Sequence, residues 1–141
     1  MKRLFIILSV LILAPSAFAA DSDLLQKAKA EGQVSFYANM TAIQPIMDMF
    51  NTQTGLNGKY TRISTSKFLA TVLTEFQAGK LMADVLQAPL PVMQMLKAQG
   101  VLAPYPSPTA VGYPAWTQKD DAIQTFGIEY VGLIYNKELV K

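Results

Sequence analysis

Three short polar segments contain the side chains that could bind a ligand, and each segment follows a predicted strand. The candidate ligand-binding residues are Asn39, Met40, Thr41, Ser64, Thr65, Ser66 and Gln87. The second segment also opens a predicted helix and ends at Lys67, so it offers hydroxyls, backbone N–H groups and an ammonium together. Helix N-termini with such groups favour carboxylates and phosphates. The same hydroxyls are also common as plain helix caps, and the residues alone leave both interpretations open.

Several classes of chemistry are excluded by composition, because the 141 residues contain no cysteine and no histidine. Disulfides, cysteine-based zinc sites, histidine metal ligands and Ser-His-Asp triads all need one of these residues. The ten acidic residues include no close pair suited to glycoside hydrolysis and no convergent set suited to a metal. No phosphate-binding loop motif is present. We therefore expect no enzyme activity, no cofactor and no bound metal.

The first 19 residues have the pattern of a secretory signal peptide. Lys2 and Arg3 precede the apolar run Leu4–Leu13, and Ala17-Phe18-Ala19 supplies the small residues that signal peptidase requires. The run is shorter than the roughly 20 residues needed to span a bilayer. We expect cleavage after Ala19, a periplasmic location and no membrane insertion afterwards. The mature chain then carries no net charge, because the leader holds two of the 12 basic residues and none of the ten acidic ones. This balance argues against nucleic-acid binding.

Hydrophobic spacing predicts helices alternating with strands along the mature chain. The first predicted helix is Ser22–Glu31, with Leu24, Leu25 and Ala28 on its apolar face and Gly32 at its end. The second runs through Ile43, Ile46, Met47 and Phe50 and ends near Gly55, and the third runs through Leu69, Val72, Leu73 and Phe76 and stops at Gly79. The fourth runs from Pro89 to Gly100, with Val92, Met95 and Leu96 facing inward. The predicted strands are Gln33–Tyr37, Leu56–Ile63 with an interruption at Asn57-Gly58, Ala83–Leu86 and most of Ile123–Tyr135. A proline-rich stretch over Leu102–Trp116 is expected to be irregular, and Asn136-Lys137 is expected to start a turn.

The start of the second helix has two possible caps, because Thr41 and Gln44 have capping-box spacing while Pro45 would make Gln44 the cap. Asp84 is expected to be a structural hydrogen-bonding residue. The alternation predicts an α/β fold with a mostly parallel sheet and helices on both faces. Ligands of such sheets bind beyond the carboxyl ends of the strands, where the three polar segments lie.

Five segments together resemble the periplasmic solute-binding proteins of ABC transporters, in the branch that binds ferric iron, thiamine, polyamines and phosphonates. They are KAKAEGQVSFYA (Lys27–Ala38), FNTQTGL (Phe50–Leu56), FQAGKLMADVL (Phe76–Leu86), LKAQGVLAPYPSP (Leu96–Pro108) and VGLIYNKELVK (Val131–Lys141). The resemblance implies a lobe of the class II periplasmic-binding-protein fold, with the ligand held between two lobes and delivered to an inner-membrane ABC permease. It places family ligand contacts in the three polar segments, and it implies a monomer.

The resemblance also implies a domain plan and a ligand class. Residues 1–19 are the signal peptide, 20–127 the N-terminal lobe and 128–141 the start of the inter-lobe crossover, with the second lobe missing. We expect this half of a cleft to bind the family ligand poorly alone. Iron-binding members use a histidine after the first strand and a carboxylate after the third, whereas this chain has no histidine and has Gln87-Ala88-Pro89 in the second place. The expected ligand is a small solute, anionic or a metal with an anion.

Two alternative functions remain from the residues. One is a small exported α/β hydrolase with a serine nucleophile, for which Ser64 or Ser66 beside Lys67 is the local candidate. The other is a sensor lobe with the same fold.

Overall fold

Helices and strands alternate up to residue 98 in the computed structural model, which describes residues 17–117, 120–125 and 127–140. The helices are α1 (Ala17–Glu31), α2 (Ile43–Thr54), α3 (Thr65–Gln77) and α4 (Leu90–Ala98), and the strands are β1 (Val34–Ala38), β2 (Gly58–Arg62) and β3 (Val85–Gln87). Two 3₁₀ turns, Ala110–Gly112 and Ala115–Thr117, interrupt the otherwise irregular proline-rich stretch. Most of the predicted leader, residues 1–16, lies outside the described residues.

The described residues form two compact units. The first contains the residues up to Ser64 together with Met82–Gln87, and so holds all three strands with α1 and α2. The second contains Thr65–Leu81 and the residues from Ala88 onwards, with α3 and α4. In the part of the chain that is described, no helix is long and apolar enough to cross a bilayer.

The three strands of the first unit form a parallel sheet in the order β2-β1-β3. Ala38, the last residue of β1, is level with Arg62 of β2 on one side and with Gln87 of β3 on the other. All three strands therefore end together at one edge. The α/β class and the parallel sheet that the hydrophobic pattern predicts are confirmed.

Helix α2 packs directly on β2, and Gly58 makes this close approach possible. Asn51 Nδ2 donates to the Gly58 carbonyl at 3.0 Å, and the Gly58 N–H donates to Asn51 Oδ1 at 2.6 Å. A Cβ atom on Gly58 would lie 2.8 Å from Asn51 Oδ1 and 3.1 Å from Phe50 Cδ1. Beside this contact, Ile43 and Met47 of α2 are buried with Ala38 of β1. The sequence analysis took Asn57-Gly58 as an interruption, but β2 begins at this glycine.

The predicted apolar helix faces are correct in part. Ile43 and Met47 are buried on α2, Val72 on α3 and Leu96 on α4. Phe68 and Met93 are also buried, one residue away from the predicted stripes, while the predicted core residues Leu24, Ile46, Phe76 and Met95 are exposed. Helices α3 and α4 are thus rotated by about one position from the faces that spacing alone selects, because the surrounding elements decide which side is covered.

The predicted helix ends are confirmed better than the predicted starts. Gly32, Gly55, Gly79 and Gly100, which were expected to stop the four helices, all have positive φ, the conformation that glycine adopts without a Cβ clash. Helix α1 already includes Ala17, the first described residue, ahead of the predicted start at Ser22. Ala42 precedes α2 without a side-chain cap, so both proposed caps are wrong. Pro45 is the third residue of α2, where a helix N–H has no intrahelical acceptor.

In the second unit, Asp120 organises the chain around the buried Ile123. Its Oδ1 accepts the N–H groups of Ala122 and Ile123, both at 2.8 Å. Its Oδ2 lies 2.8 Å from Lys97 Nζ, at the end of α4. The hydrogen bond from Lys97 and the backbone N–H of Ala122 lower the pKa of Asp120, and the same hydrogen bond raises the pKa of Lys97.

The predicted strand over Ile123–Tyr135 is wrong for the described residues. Residues 128–135 have no strand partner, and Val131, Leu133 and Ile134 are 96–100% exposed. A strand requires a neighbouring strand for its N–H and C=O groups, and the β-branched and apolar composition of this segment does not provide one. The turn predicted at Asn136-Lys137 is confirmed, since the N–H groups of Leu139 and Val140 both donate to the Asn136 carbonyl.

A Gly58→Ala substitution should lower the free energy of unfolding by about 1–3 kcal/mol, because the added methyl would displace Asn51 and Phe50. Urea unfolding followed by circular dichroism measures the change. Gly112→Ala is the matched control, since a Cβ there meets nothing within 4 Å and should alter stability little. Equal unfolding midpoints for the two variants would contradict the close packing of α2 on β2.

The Lys97–Asp120 pair should make stability depend on pH in a defined direction. Because the pKa of Asp120 is lower when folded, its contribution is complete above its unfolded pKa of about 3.9 and is lost as pH falls through the lowered value. Because the pKa of Lys97 is raised when folded, its contribution is complete below its unfolded pKa of about 10.4 and is lost as pH rises through the raised value. Asp120→Asn should therefore flatten the acid limb of a melting-temperature profile. Asp121→Asn, whose carboxylate lies 3.8 Å from Lys97 Nζ, should flatten it less; equal profiles for both variants would refute this assignment.

Candidate ligand-binding site

The structure brings Asn39 and Gln87 together at the carboxyl edge of the sheet. The Asn39 N–H is shared between the Gln87 carbonyl and Gln87 Oε1, both at 3.3 Å. Asn39 follows Ala38, which is completely buried, and its own Oδ1 is buried as well. Two of the residues that sequence reasoning selected from distant parts of the chain are therefore hydrogen-bonded neighbours.

The side-chain amide of Gln87 supplies donors at this edge. Because its Oε1 accepts from Asn39, its Nε2 group is oriented away from that bond and donates to no other described residue. Gln87 is half-buried, and the bond to Asn39 restricts the position of its side chain. An amide NH₂ offers two N–H donors, which suits a ligand oxygen.

Asp84 sets the position of β3 and hence of Gln87. The Ser35 N–H donates to Asp84 Oδ2 at 2.8 Å, and the Asp84 N–H donates to the Ser35 carbonyl at 2.9 Å. These two bonds lie just before the paired residues of β3, and they fix its register so that Gln87 ends level with Ala38. The prediction that Asp84 is a structural hydrogen-bonding residue is confirmed.

Met40 and Thr41, which lie in the loop after β1, have different environments. Met40 is half-buried and packs against the cluster of Ala38, Ile43 and Met47. Its carbonyl accepts the Tyr60 hydroxyl at 2.8 Å, so this loop is tied to β2 by a residue that the sequence analysis did not select. Thr41 is exposed, and its carbonyl accepts the Gln44 N–H at 3.1 Å. The ligand-binding roles of both residues stay predictions.

Ser64 lies at the same edge of the first unit, because the preceding Ile63 N–H donates to the Ala38 carbonyl at 2.9 Å. Thr65 and Ser66 follow it in the chain as the first residues of α3 and belong to the second unit. All three residues are exposed. Their ligand-binding roles also stay predictions.

Arg62 is a charged residue at this edge that the sequence analysis missed. It is the last residue of β2, level with Ala38, and its side chain is exposed. The position of Arg62 in the sequence could have indicated this role, because a basic residue at the end of a predicted parallel strand lies at the ligand-binding edge. It was overlooked because the predicted strand was extended through Ile63.

The second unit has a separate shallow pocket of about 180 Å³, lined by Ser107, Thr109, Ala110, Tyr113, Thr117, Gln124 and Thr125. Ligand pockets commonly measure about 300–1,000 Å³, so this volume suits only a very small molecule. Among the described residues, no group of three or more acidic side chains could hold a metal ion.

Comparisons with known proteins do not assign a family or a function to this chain. No protein-family model matches the chain, and no curated protein matches it either.

Proposed function

We propose that this chain is a lobe of an exported solute-binding protein, which captures a small solute at the carboxyl edge of its sheet for an inner-membrane ABC permease. The observation that carries the proposal is the contact between Asn39 and Gln87. Asn39 follows β1 and Gln87 ends β3, and the sheet order places β2 and β3 on opposite sides of β1. Successive connections therefore diverge at this point, and open parallel sheets bind ligands where connections diverge.

The groups at this edge suit an anionic solute, or a metal accompanied by an anion. Gln87 contributes neutral donors, Ser64 a hydroxyl and Arg62 a permanent positive charge. Guanidinium groups bind carboxylates and phosphates with two parallel hydrogen bonds. Asp84, whose carboxylate accepts the Ser35 N–H, lies at the opposite, amino end of β3.

The finer architecture belongs to the same proposal. It comprises a class II periplasmic-binding-protein lobe with helices on both faces, a second lobe that completes the cleft, and residues 128–141 as the start of the crossover. Capture requires no bond to be made or broken, so the protein binds and releases its solute unchanged. The resemblance of the five sequence segments supports this architecture, and the parallel β2-β1-β3 sheet agrees with it.

Export should remove the leader at a single position. When the chain is produced in a Gram-negative bacterium, the periplasmic fraction should contain a product that begins at Ala20, as intact-mass spectrometry would show. Ala19→Leu replaces the small residue that signal peptidase needs and should leave the full-length chain membrane-associated. A full-length product in the cytoplasm for both forms would overturn the proposed location.

Ligand capture is tested with the ¹⁵N-labelled mature chain, titrated separately with phosphate, citrate and uncharged glucose. Phosphate or citrate should shift the amide signals of Asn39, Ser64 and Gln87, with weak affinity because one edge buries little of a ligand. Gln87→Leu should weaken this binding at least about fivefold, the loss expected for a hydrogen bond worth about 1 kcal/mol.

Gln94→Leu is the matched control, because Gln94 is an exposed glutamine of α4 in the second unit. It should leave the titration unchanged. Anion-induced shifts that avoid the three amides, or that are insensitive to Gln87→Leu, would contradict the proposed site. A response to glucose alone would replace the proposed anion with a neutral solute.

A further inference from the structure

The segment 130–135 presents an uncharged apolar run to solvent. Tyr130 is 93% exposed, and Val131, Leu133 and Ile134 are 96–100% exposed. No backbone hydrogen bond between described residues involves 128–135. Folded monomers rarely expose contiguous apolar surface of this kind, and where they do it commonly marks an interaction site. Its composition, rich in aromatic and β-branched residues without proline, is that of a strand lacking neighbours.

Charges flank this run symmetrically. Glu129 lies four residues before Leu133, and Lys137 lies four residues after it. Lys137 Nζ is 4.0 Å from Glu138, with both side chains at least 80% exposed, and an exposed pair of this kind is weak. Lys137 can therefore exchange its partner at little cost.

We propose that two copies of this chain pair antiparallel through residues 130–136, with Leu133 opposite Leu133, so that each Glu129 lies beside Lys137 of the other copy. This register also sets Val131 opposite Tyr135, an aromatic and β-branched combination that stabilises paired strands. The alternation of side chains places all of these residues on one face of the two-stranded ribbon. A pair of opposite charges, Glu129 of one copy and Lys137 of the other, then lies at each end of the apolar run.

Other partners fit the segment less well. Parallel, in-register stacking would set Glu129 beside Glu129, and like charges directly opposite destabilise paired strands. An anionic membrane surface attracts clusters of lysine and arginine, whereas the charges here are Glu129, Lys137 and Glu138, with a net negative sum. The turn that starts at Asn136, where Asn136 Oδ1 accepts the Glu138 N–H at 2.9 Å, limits the strand to this length. Self-pairing departs from the monomer expected from the sequence.

Sedimentation of the mature chain from about 1 µM to about 1 mM tests the association, since that span separates weak from moderate dimers. We expect a monomer–dimer equilibrium that Leu133→Lys abolishes. Glu129→Lys and Lys137→Glu should each weaken the dimer roughly tenfold, because each change creates two like-charge pairs, and the double variant should restore it. Lys80→Glu, an exposed charge reversal outside the segment, is the control and should have no effect.

Cysteine cross-linking tests the register, because the chain has no native cysteine. Opposed residues of an antiparallel pair have Cα atoms about 4.5–5.5 Å apart, which is within disulfide range. Leu133→Cys should oxidise rapidly to a disulfide dimer, whereas Tyr130→Cys, opposite Asn136, should not. A chain that is monomeric throughout, or an open-ended assembly insensitive to the charge exchange, overturns the proposal. The inference does not use the ligand site, so the two can fail separately, but it places residues 130–136 in a contact between copies instead of in the inter-lobe crossover.

Discussion

The first unit depends on two polar contacts at the amino ends of its strands. Asn51 makes a pair of hydrogen bonds with Gly58 at the start of β2, and Asp84 makes the corresponding connection with Ser35 before β3. One contact holds a helix against the sheet and the other holds an edge strand in register. Since parallel strands rise by the same distance per residue, registers fixed at the amino ends are transmitted to the carboxyl ends. The meeting of Asn39 with Gln87 follows from them.

The candidate site that these contacts position is built from residues of low intrinsic reactivity. Gln87 and Asn39 have amide side chains that do not titrate, and the neighbouring Arg62 stays charged under all ordinary conditions. Such groups recognise a solute by shape, hydrogen bonds and charge without transferring a proton. The edge thus has the chemistry expected of a receptor, in agreement with the function proposed for it.

The sequence predicts local features of this fold better than tertiary ones. The four glycine stops and the three parallel strands follow from conformational preference and periodicity, and they agree with the structure. The rotation of α3 and α4 that buries Phe68 and Met93 depends on neighbouring elements, which spacing cannot specify. Ile128–Tyr135 shows the same limit, since its composition is that of a strand but strand formation needs a partner. At the site, the positions of Asn39 and Gln87 were predictable from topology, whereas the bond between them required the register set by Asp84.

The shortness of β3 has an energetic consequence for ligand capture. With three residues paired to β1 on one side only, β3 is held by few hydrogen bonds, and segments of this kind open locally at a small fraction of the global unfolding free energy. Every opening separates Gln87 from Asn39 and dismantles the edge. A solute that contacts both residues would therefore stabilise β3. Its binding to the closed form would raise the free energy needed for local unfolding of this strand.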